Sequence, residues 1–281
     1  MNAEPRGTAQ RRPTIGVFDS GFGGLTVLRE LLPLIPAAHY IYLGDTARLP
    51  YGAKSQVTIA RYAVESARFL EERGAQMLVI ACNTATALAL DEIRAAVQVP
   101  VLGVIEPGAH AAHRDVHGKP GEVLILATAA TVQSHAYHRA CAALDLHATE
   151  VPTPLLVPLV EEGWTDHPVT REVLRIYLSA ALAHCKPHAV LLGCTHYPLI
   201  AREIEATLRS LGSEAIVIDS AQATARAAAD LAATIFPIGP SSTQKATFSC
   251  YATDSVEKFQ RLGSHFLGQT IPSVELLDLG G

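Results

Sequence analysis

The sequence predicts an α/β protein: two similar α/β lobes with mostly parallel sheets, related by a pseudo-two-fold axis, with a site in the cleft between them. Three observations carry that expectation. Short apolar strands alternate with helical segments along most of the chain, the pattern of a parallel sheet covered by helices. The alternation restarts after residue 106. Two apolar strands, one through Leu78, Val79 and Ile80 and one through Val190, Leu191 and Leu192, end alike: a small residue, a cysteine, then polar residues that open a helical segment. Ligands of open α/β sheets bind outside the carboxyl ends of the strands. Cys82 and Cys194 therefore stand where chemistry is usual, and facing lobes would set them on opposite walls.

Residues 14–18 read as the first strand, followed by a tight loop of Asp19, Ser20, Gly21, Phe22, Gly23 and Gly24. A helix over 25–32 is stopped by Pro33 and Pro36. A second strand, 39–43, runs into a loop at 44–52. The helix over 55–73 places Val57, Ala60, Val64, Ala67 and Leu70 close to a period of about 3.6, and Gly74 ends it. Strand 77–81, helix 84–97 and strand 101–105 follow. Glu106, Pro107 and Gly108 break the chain. A helical stretch bearing His110, His113 and His117 ends at Gly118. Next come strand 122–126, helix 131–144, strand 147–151 and an irregular or short helical run at 152–163. Helix 170–185, strand 188–192, helix 199–211 and strand 216–218 complete the second set. Asp219 and Ser220 cap a helix over 221–235. A strand at 246–251 and a helix over 255–262 lie in a C-terminal segment whose remainder has no clear pattern. Residues 1–13 form a disordered tail, 14–106 with 219–281 the first lobe, and 107–218 the second.

With 281 residues, 49% of them hydrophobic and 17% charged, the chain is globular with a full core. A net charge of −5 argues against the basic surface that a nucleic-acid partner requires. No apolar run approaches the roughly 18 residues of a membrane span, and the N-terminal stretch lacks the apolar centre of a signal peptide. Five cysteines, an odd number without a Cys-x-x-Cys pair, make no disulfide framework and suit a reducing cytosol. Cys141, Cys185 and Cys250 read as small core hydrophobes.

The glycine-rich loop does not fit G-x-G-x-x-G, because Thr26 stands where the third glycine would be, and it has no Walker lysine. Its glycines do allow backbone N–H groups to approach a small anion, a carboxylate as readily as a phosphate. An ordinary tight turn is the alternative. Pyridoxal phosphate needs a Schiff-base lysine, and none of Lys54, Lys119, Lys186, Lys245 and Lys258 follows directly on an apolar strand end. A zinc site from Cys82, Cys194, His196 and Asp19 would lack the short paired spacing of structural sites, so no metal and no cofactor are expected. His135 and His138 read as surface residues. Two thiols remain as acid and base. A free thiol has a pKa of about 8.5, lowered near a helix N-terminus or a protonated histidine, and both cysteines precede predicted helices. His196 is a candidate proton relay for Cys194, and Asp19 for Cys82. A thiolate and a thiol on opposite faces of a carbon acid can remove a proton from one side and return one on the other. A single nucleophilic thiol would leave the second cysteine unexplained.

Four blocks, GVFDSGFGGL at 16–25, GDTARLPYG at 44–52, ACNTAT at 81–86 and GCTHYP at 193–198, resemble the cofactor-independent aspartate/glutamate racemase superfamily, and within it the glutamate racemases. TVQSHAY at 131–137 and LLVPLVE at 155–161 add weaker support. The resemblance runs from about Ile15 to Ala225. It implies that Cys82 takes the proton from D-glutamate and Cys194 from L-glutamate, with Asp19 and His196 assisting their neighbouring thiols. It carries substrate binding onto Asp19, Ser20, Pro50, Tyr51, Gly52, Asn83, Thr84, Thr195 and His196. Thr128, Thr131 and Glu161 are further candidates at the cleft. It also implies a homodimer of the bacterial cytoplasm that acts on L- and D-glutamate, without nucleic acid or membrane, and supplies D-glutamate for peptidoglycan. Glutamate rather than aspartate rests on His196, where aspartate-specific relatives tend to carry a glutamate. The alternatives are a racemase for aspartate or another amino acid, and a non-catalytic zinc- or ligand-binding α/β protein.

Overall fold

The computed structural model describes residues 12–116, 121–236 and 245–280. Within them one strand order occurs twice. β1 (Thr14–Asp19), β2 (His39–Gly44), β3 (Met77–Ile80) and β4 (Val101–Gly103) are hydrogen-bonded as β2-β1-β3-β4. β5 (Gly121–Ala127), β6 (Leu146–Pro152), β7 (Ala189–Gly193) and β8 (Ile216–Asp219) form a second sheet in the order β6-β5-β7-β8. All of these pairings are parallel. Cys82 follows the third strand of the first run and Cys194 the third strand of the second, so the repeat expected from the sequence is a repeat of topology. β9 (Thr247–Ala252) and β10 (Val274–Leu276) extend the first sheet beyond β2, also in parallel. The C-terminal segment without clear pattern thus ends in an edge strand too short to show an alternation.

The connecting helices are α1 (Leu25–Leu34), α2 (Gln56–Glu72), α3 (Asn83–Ala96), α4 (Ile105–Asp115), α5 (Ala129–Gln133), α6 (Ala136–Ala142), α7 (Leu156–Glu161), α8 (Pro168–Leu182) and α9 (Ala201–Ser210). α10 (Ser220–Ile235) and α11 (Val256–Leu267) follow. Several starts are side-chain capped: Ser55, Thr128 and Asp219 accept from the backbone N–H of Thr58, Thr131 and Ala221. No helix among the described residues is long and apolar enough to cross a membrane.

The central strands read as continuous apolar runs because helices cover both faces. Val17, Leu78, Ile125 and Leu191 are all fully buried. One core cluster joins Ile15 and Val17 of β1, Leu25 and Leu28 of α1, Leu124 and Leu126 of β5, Leu192 of β7, and Ala221 and Ala225 of α10. Both sheets therefore share one apolar core. The small residues of α10 let it pack against α1 and α4.

Several expectations are corrected. Glu106, Pro107 and Gly108 do not break the chain but lie in the first turn of α4. A proline is tolerated there because its missing N–H would have no helical partner, and Gly108 N–H donates to the Val104 carbonyl at 3.2 Å. The boundary placed near Glu106 thus falls inside a helix. α1 continues to Leu34 through Pro33. The helix expected over 131–144 is two helices, split at His135, whose φ is 54°. Ser134 explains the split: its hydroxyl donates to the Thr131 carbonyl at 2.6 Å and accepts from Ala136 N–H at 3.2 Å, competing with the helical ladder. α8 ends at Leu182, short of Cys185, and α11 runs on to Leu267. Of the expected N-terminal tail, residues 1–11 lie outside the described residues, as do His117 and Gly118. Arg12 donates to Thr247 Oγ1 at 3.0 Å and the Pro13 carbonyl accepts from His39 at 2.9 Å, so the end of that tail is tied to the first sheet.

Candidate active site

Strand order reverses between β1 and β3, and again between β5 and β7. At such switch points the outgoing chains diverge and leave a crevice at the carboxyl ends of the strands. From the first crevice come Asp19, Ser20, Cys82, Asn83 and Thr84. From the second come Thr128, Cys194, Thr195 and His196. One cavity of about 440 Å³ is lined from both crevices and from the loop carrying Pro50, Tyr51 and Gly52. A larger cavity, about 560 Å³, lies among α3, α4 and α6 and contains none of these residues.

Every residue singled out from the sequence falls in or against the 440 Å³ cavity. Ser20, Pro50, Tyr51, Gly52, Cys82, Asn83, Thr84, Cys194, Thr195 and His196 line it, with Thr128 and Glu161. Asp19 is buried behind the lining. Thr131 is also buried, bonded to Thr84 and Thr128.

The two thiols have different surroundings. Cys82 caps α3, its sulfur accepting from Ala85 N–H at 3.4 Å while its thiol donates to Ser20 Oγ at 3.4 Å. Burial first, then the Asp19 carboxylate, push this thiol up to about 12. The expectation of a lowered pKa at a helix N-terminus is thus corrected for Cys82: desolvation outweighs the hydrogen bonds from the helix end and from Ser20. Asp19 is raised as well, chiefly by burial, with the His196 charge and the Gly21 and Gly24 N–H groups opposing. Its Oδ2 accepts from Gly21 N–H at 2.9 Å, while Oδ1 is buried with no hydrogen-bond partner among the described residues.

Cys194 does not precede an α-helix. Pro198 starts a tight turn, Tyr197–Ile200, closed by Tyr197 N–H on the Cys194 carbonyl at 3.1 Å and Leu199 N–H on the His196 carbonyl at 3.2 Å. The turn brings His196 Nδ1 back to 3.9 Å from Cys194 Sγ. Burial alone would lower the imidazole, but hydrogen bonds to Cys194 and Glu161 outweigh it and raise His196 to about 10. Burial works to raise Glu161, yet its bond to His196 and the Lys258 charge leave it below the ordinary value. The two partners agree: His196 is held as an imidazolium against a carboxylate.

Glycine is required at position 23. A Cβ there would lie 2.2 Å from Thr195 Oγ1 and 2.6 Å from His196 Nδ1, so the Thr195 and His196 side chains pack directly on the bare Gly23 backbone. Thr26 Oγ1 adds a bond to the Thr195 carbonyl at 3.0 Å. Hydroxyls bridge the crevices on the other side: Thr84 Oγ1 lies 3.0 Å from Thr128 Oγ1, and Thr128 Oγ1 lies 2.9 Å from Thr131 Oγ1. Tyr137 donates to Asn83 Oδ1 at 2.6 Å, which turns the Asn83 Nδ2 the other way, buried and with no hydrogen-bond partner among the described residues. Tyr51 is fixed by Asp45, whose carboxylate accepts from Tyr51 OH at 2.5 Å, Arg48 Nε at 3.0 Å and Thr253 Oγ1 at 2.9 Å.

Sequence reasoning missed Phe22, Val157, Pro158, Glu162, Asp254, Ser255 and Lys258, all of which line the cavity. Phe22 sat in a loop already singled out; the last three come from the end of β9 and the start of α11, and no local signal ties them to Cys82. Among the described residues, no group of three His, Cys, Asp or Glu side chains is arranged to hold a metal ion.

Comparison with known proteins yields three kinds of match. Residues 15–228 match the family model described as Asp/Glu/Hydantoin racemase. Over 295 aligned positions the chain is 50% identical to a glutamate racemase of Koribacter versatilis, covering 97% of this chain and 100% of that protein. The crystal structure of glutamate racemase from Thermus thermophilus in complex with β-chloro-D-alanine superposes with a TM-score of 0.84 at 38% identity, over 96% of this chain and 98% of the other. That from Francisella tularensis in complex with D-glutamate gives 0.85 at 32% identity, over 95% and 98%.

Proposed function

The chain belongs to the Asp/Glu/hydantoin racemase family, and from that premise we propose that it interconverts L- and D-glutamate by proton transfer at Cα between Cys82 and Cys194. The observation that carries this reading is the pair of thiols at equivalent strand ends, lining one cavity from two crevices, Cys194 beside the His196 imidazole and Cys82 within the field of the Asp19 carboxylate. The D-glutamate bound by the Francisella relative supports the choice of substrate.

In the L-to-D direction the Cys194 thiolate, which accepts the His196 Nδ1 proton in a hydrogen bond, takes the Cα proton. The Cys82 S–H then delivers its proton to the opposite face. The product state holds a Cys194 thiol and a Cys82 thiolate, and a D-to-L turnover or proton exchange with water resets it. Burial keeps Cys82 protonated near neutrality, the form that delivers the proton in the L-to-D direction. Removing the Cα proton places negative charge on the α-carboxylate. The unpartnered Asn83 Nδ2 and the hydroxyls of Thr84 and Thr195 are the donors positioned for it. Asp19 Oδ1 is the acceptor left for the substrate ammonium or for the Cys82 proton. Ser20 supports the Cys82 thiol, and Pro50, Tyr51 and Gly52 close the cavity around the side-chain carboxylate. The wider role, a homodimer of the bacterial cytoplasm supplying D-glutamate for peptidoglycan, is proposed on the family resemblance.

Turnover of either enantiomer in D2O tests the mechanism. Deuterium should enter Cα of the product, and C82A and C194A should each lose at least about 10³-fold in racemisation. Each variant should still eliminate the leaving group from one enantiomer of a β-substituted glutamate. Normal racemisation by either variant would refute the two-thiol assignment, and loss of the parent's activity on treatment with EDTA would refute metal-free chemistry.

A further inference from the structure

The cavity carries an unbalanced set of charges. Among the described residues its lining holds the carboxylates of Glu161, Glu162 and Asp254, the His196 imidazole and one permanent cation, Lys258. A dicarboxylate entering it meets repulsion from each acidic side chain. Lys258 comes from the first turn of α11 and is exposed, yet its ammonium sits 5.6 Å from the centroid of the Phe22 ring. Phe22 belongs to the loop after β1 and lines the same cavity, so the contact ties a long flexible side chain to the cavity wall. Among the described residues Lys258 makes no direct ion pair. Its field nevertheless reaches inward, since it helps to keep Glu161 below its ordinary value. The position also runs against a local rule: a cation in the first turn of a helix opposes the helix dipole, and Ser255 provides no side-chain cap there. Functional sites are where natural sequences break such local rules.

We propose that Lys258 is a substrate-binding cation, which draws the dicarboxylate into the cavity and holds one of its carboxylates against the repulsion of Glu161, Glu162 and Asp254. The inference rests on the glutamate reading above and adds to it a residue from the C-terminal segment. It acts on binding and capture, not on proton transfer, so it predicts a split between KM and kcat.

Steady-state kinetics of K258M, K258R and K186M test it. Lys186 lies in the loop before β7, at the opposite end of the strands, and controls for net charge. K258M should raise KM for both enantiomers about five-fold with kcat within about two-fold, K258R should restore the parent value, and K186M should change neither. Raising salt from about 0.05 M to about 0.5 M should increase the parent's KM and leave that of K258M nearly flat. The rise in Tm produced by D-glutamate reads binding without turnover and should shrink in K258M. If K258M does not fold, K258Q takes its place. A KM for K258M within two-fold of an active parent overturns the inference. A parent that neither racemises glutamate nor is stabilised by it overturns the glutamate reading instead.

Discussion

His196 Nε2 lies 3.1 Å from Glu161 Oε1, while Nδ1 of the same ring faces the Cys194 sulfur at 3.9 Å. The imidazole is thus a link between a carboxylate at the cavity wall and a thiol at a strand end, and as an imidazolium it has one ring N–H facing each of them.

Glu161→Gln removes the carboxylate that helps raise His196 to about 10. The sign is fixed by the direction of the shift: with the carboxylate gone, the imidazolium loses its proton at lower pH. The alkaline limb of kcat/KM for L-glutamate should move down by about one pH unit or more, with about ten-fold lower activity on that limb. Folding follows the same linkage. The stabilisation from the raised His196 is fully present below 6.5 and is lost as pH rises through about 10. An unchanged alkaline limb in the variant would disconnect Glu161 from the chemistry.

Gly23→Ala places a methyl group 2.2 Å from Thr195 Oγ1 and 2.6 Å from His196 Nδ1. The neighbours are short side chains fixed by the turn after β7, so relief requires moving His196 away from Cys194. Overpacking of this kind costs about 1–3 kcal/mol. Racemisation should fall at least about 100-fold while the far-ultraviolet circular dichroism stays native. Full activity in this variant would mean that the two loops are free to separate.

Asp45→Ala removes the acceptor shared by Arg48, Tyr51 and Thr253. Arg48 is nearly buried and keeps Glu65 as its other partner. Breaking a buried ion pair from one side costs about 3–5 kcal/mol; the surviving Glu65 contact places this case near the lower end. Urea denaturation should show a loss of about 3 kcal/mol, together with a raised KM as the loop of Pro50, Tyr51 and Gly52 loses its anchor. A loss below about 0.5 kcal/mol would assign the loop's position to other contacts.

The chain by itself determined the alternation of strands and helices, the repeat that makes Cys82 and Cys194 counterparts, and the loop residues around them. These are local signals: apolar runs, the capping pair Asp219 and Ser220, and turns that only certain residues allow. The break expected at Glu106 and the single helix expected over 131–144 failed where local chemistry is ambiguous, because a proline is also a good first-turn residue and Ser134 can serve or oppose a helix. Tertiary structure alone decided three features of the site. It paired His196 with Glu161 from separate elements, and it brought Lys258 to a cavity built by residues far away in the chain. It also reversed the expected pKa shift of Cys82, because desolvation depends on everything packed around a sulfur, while sequence shows only the helix that follows it.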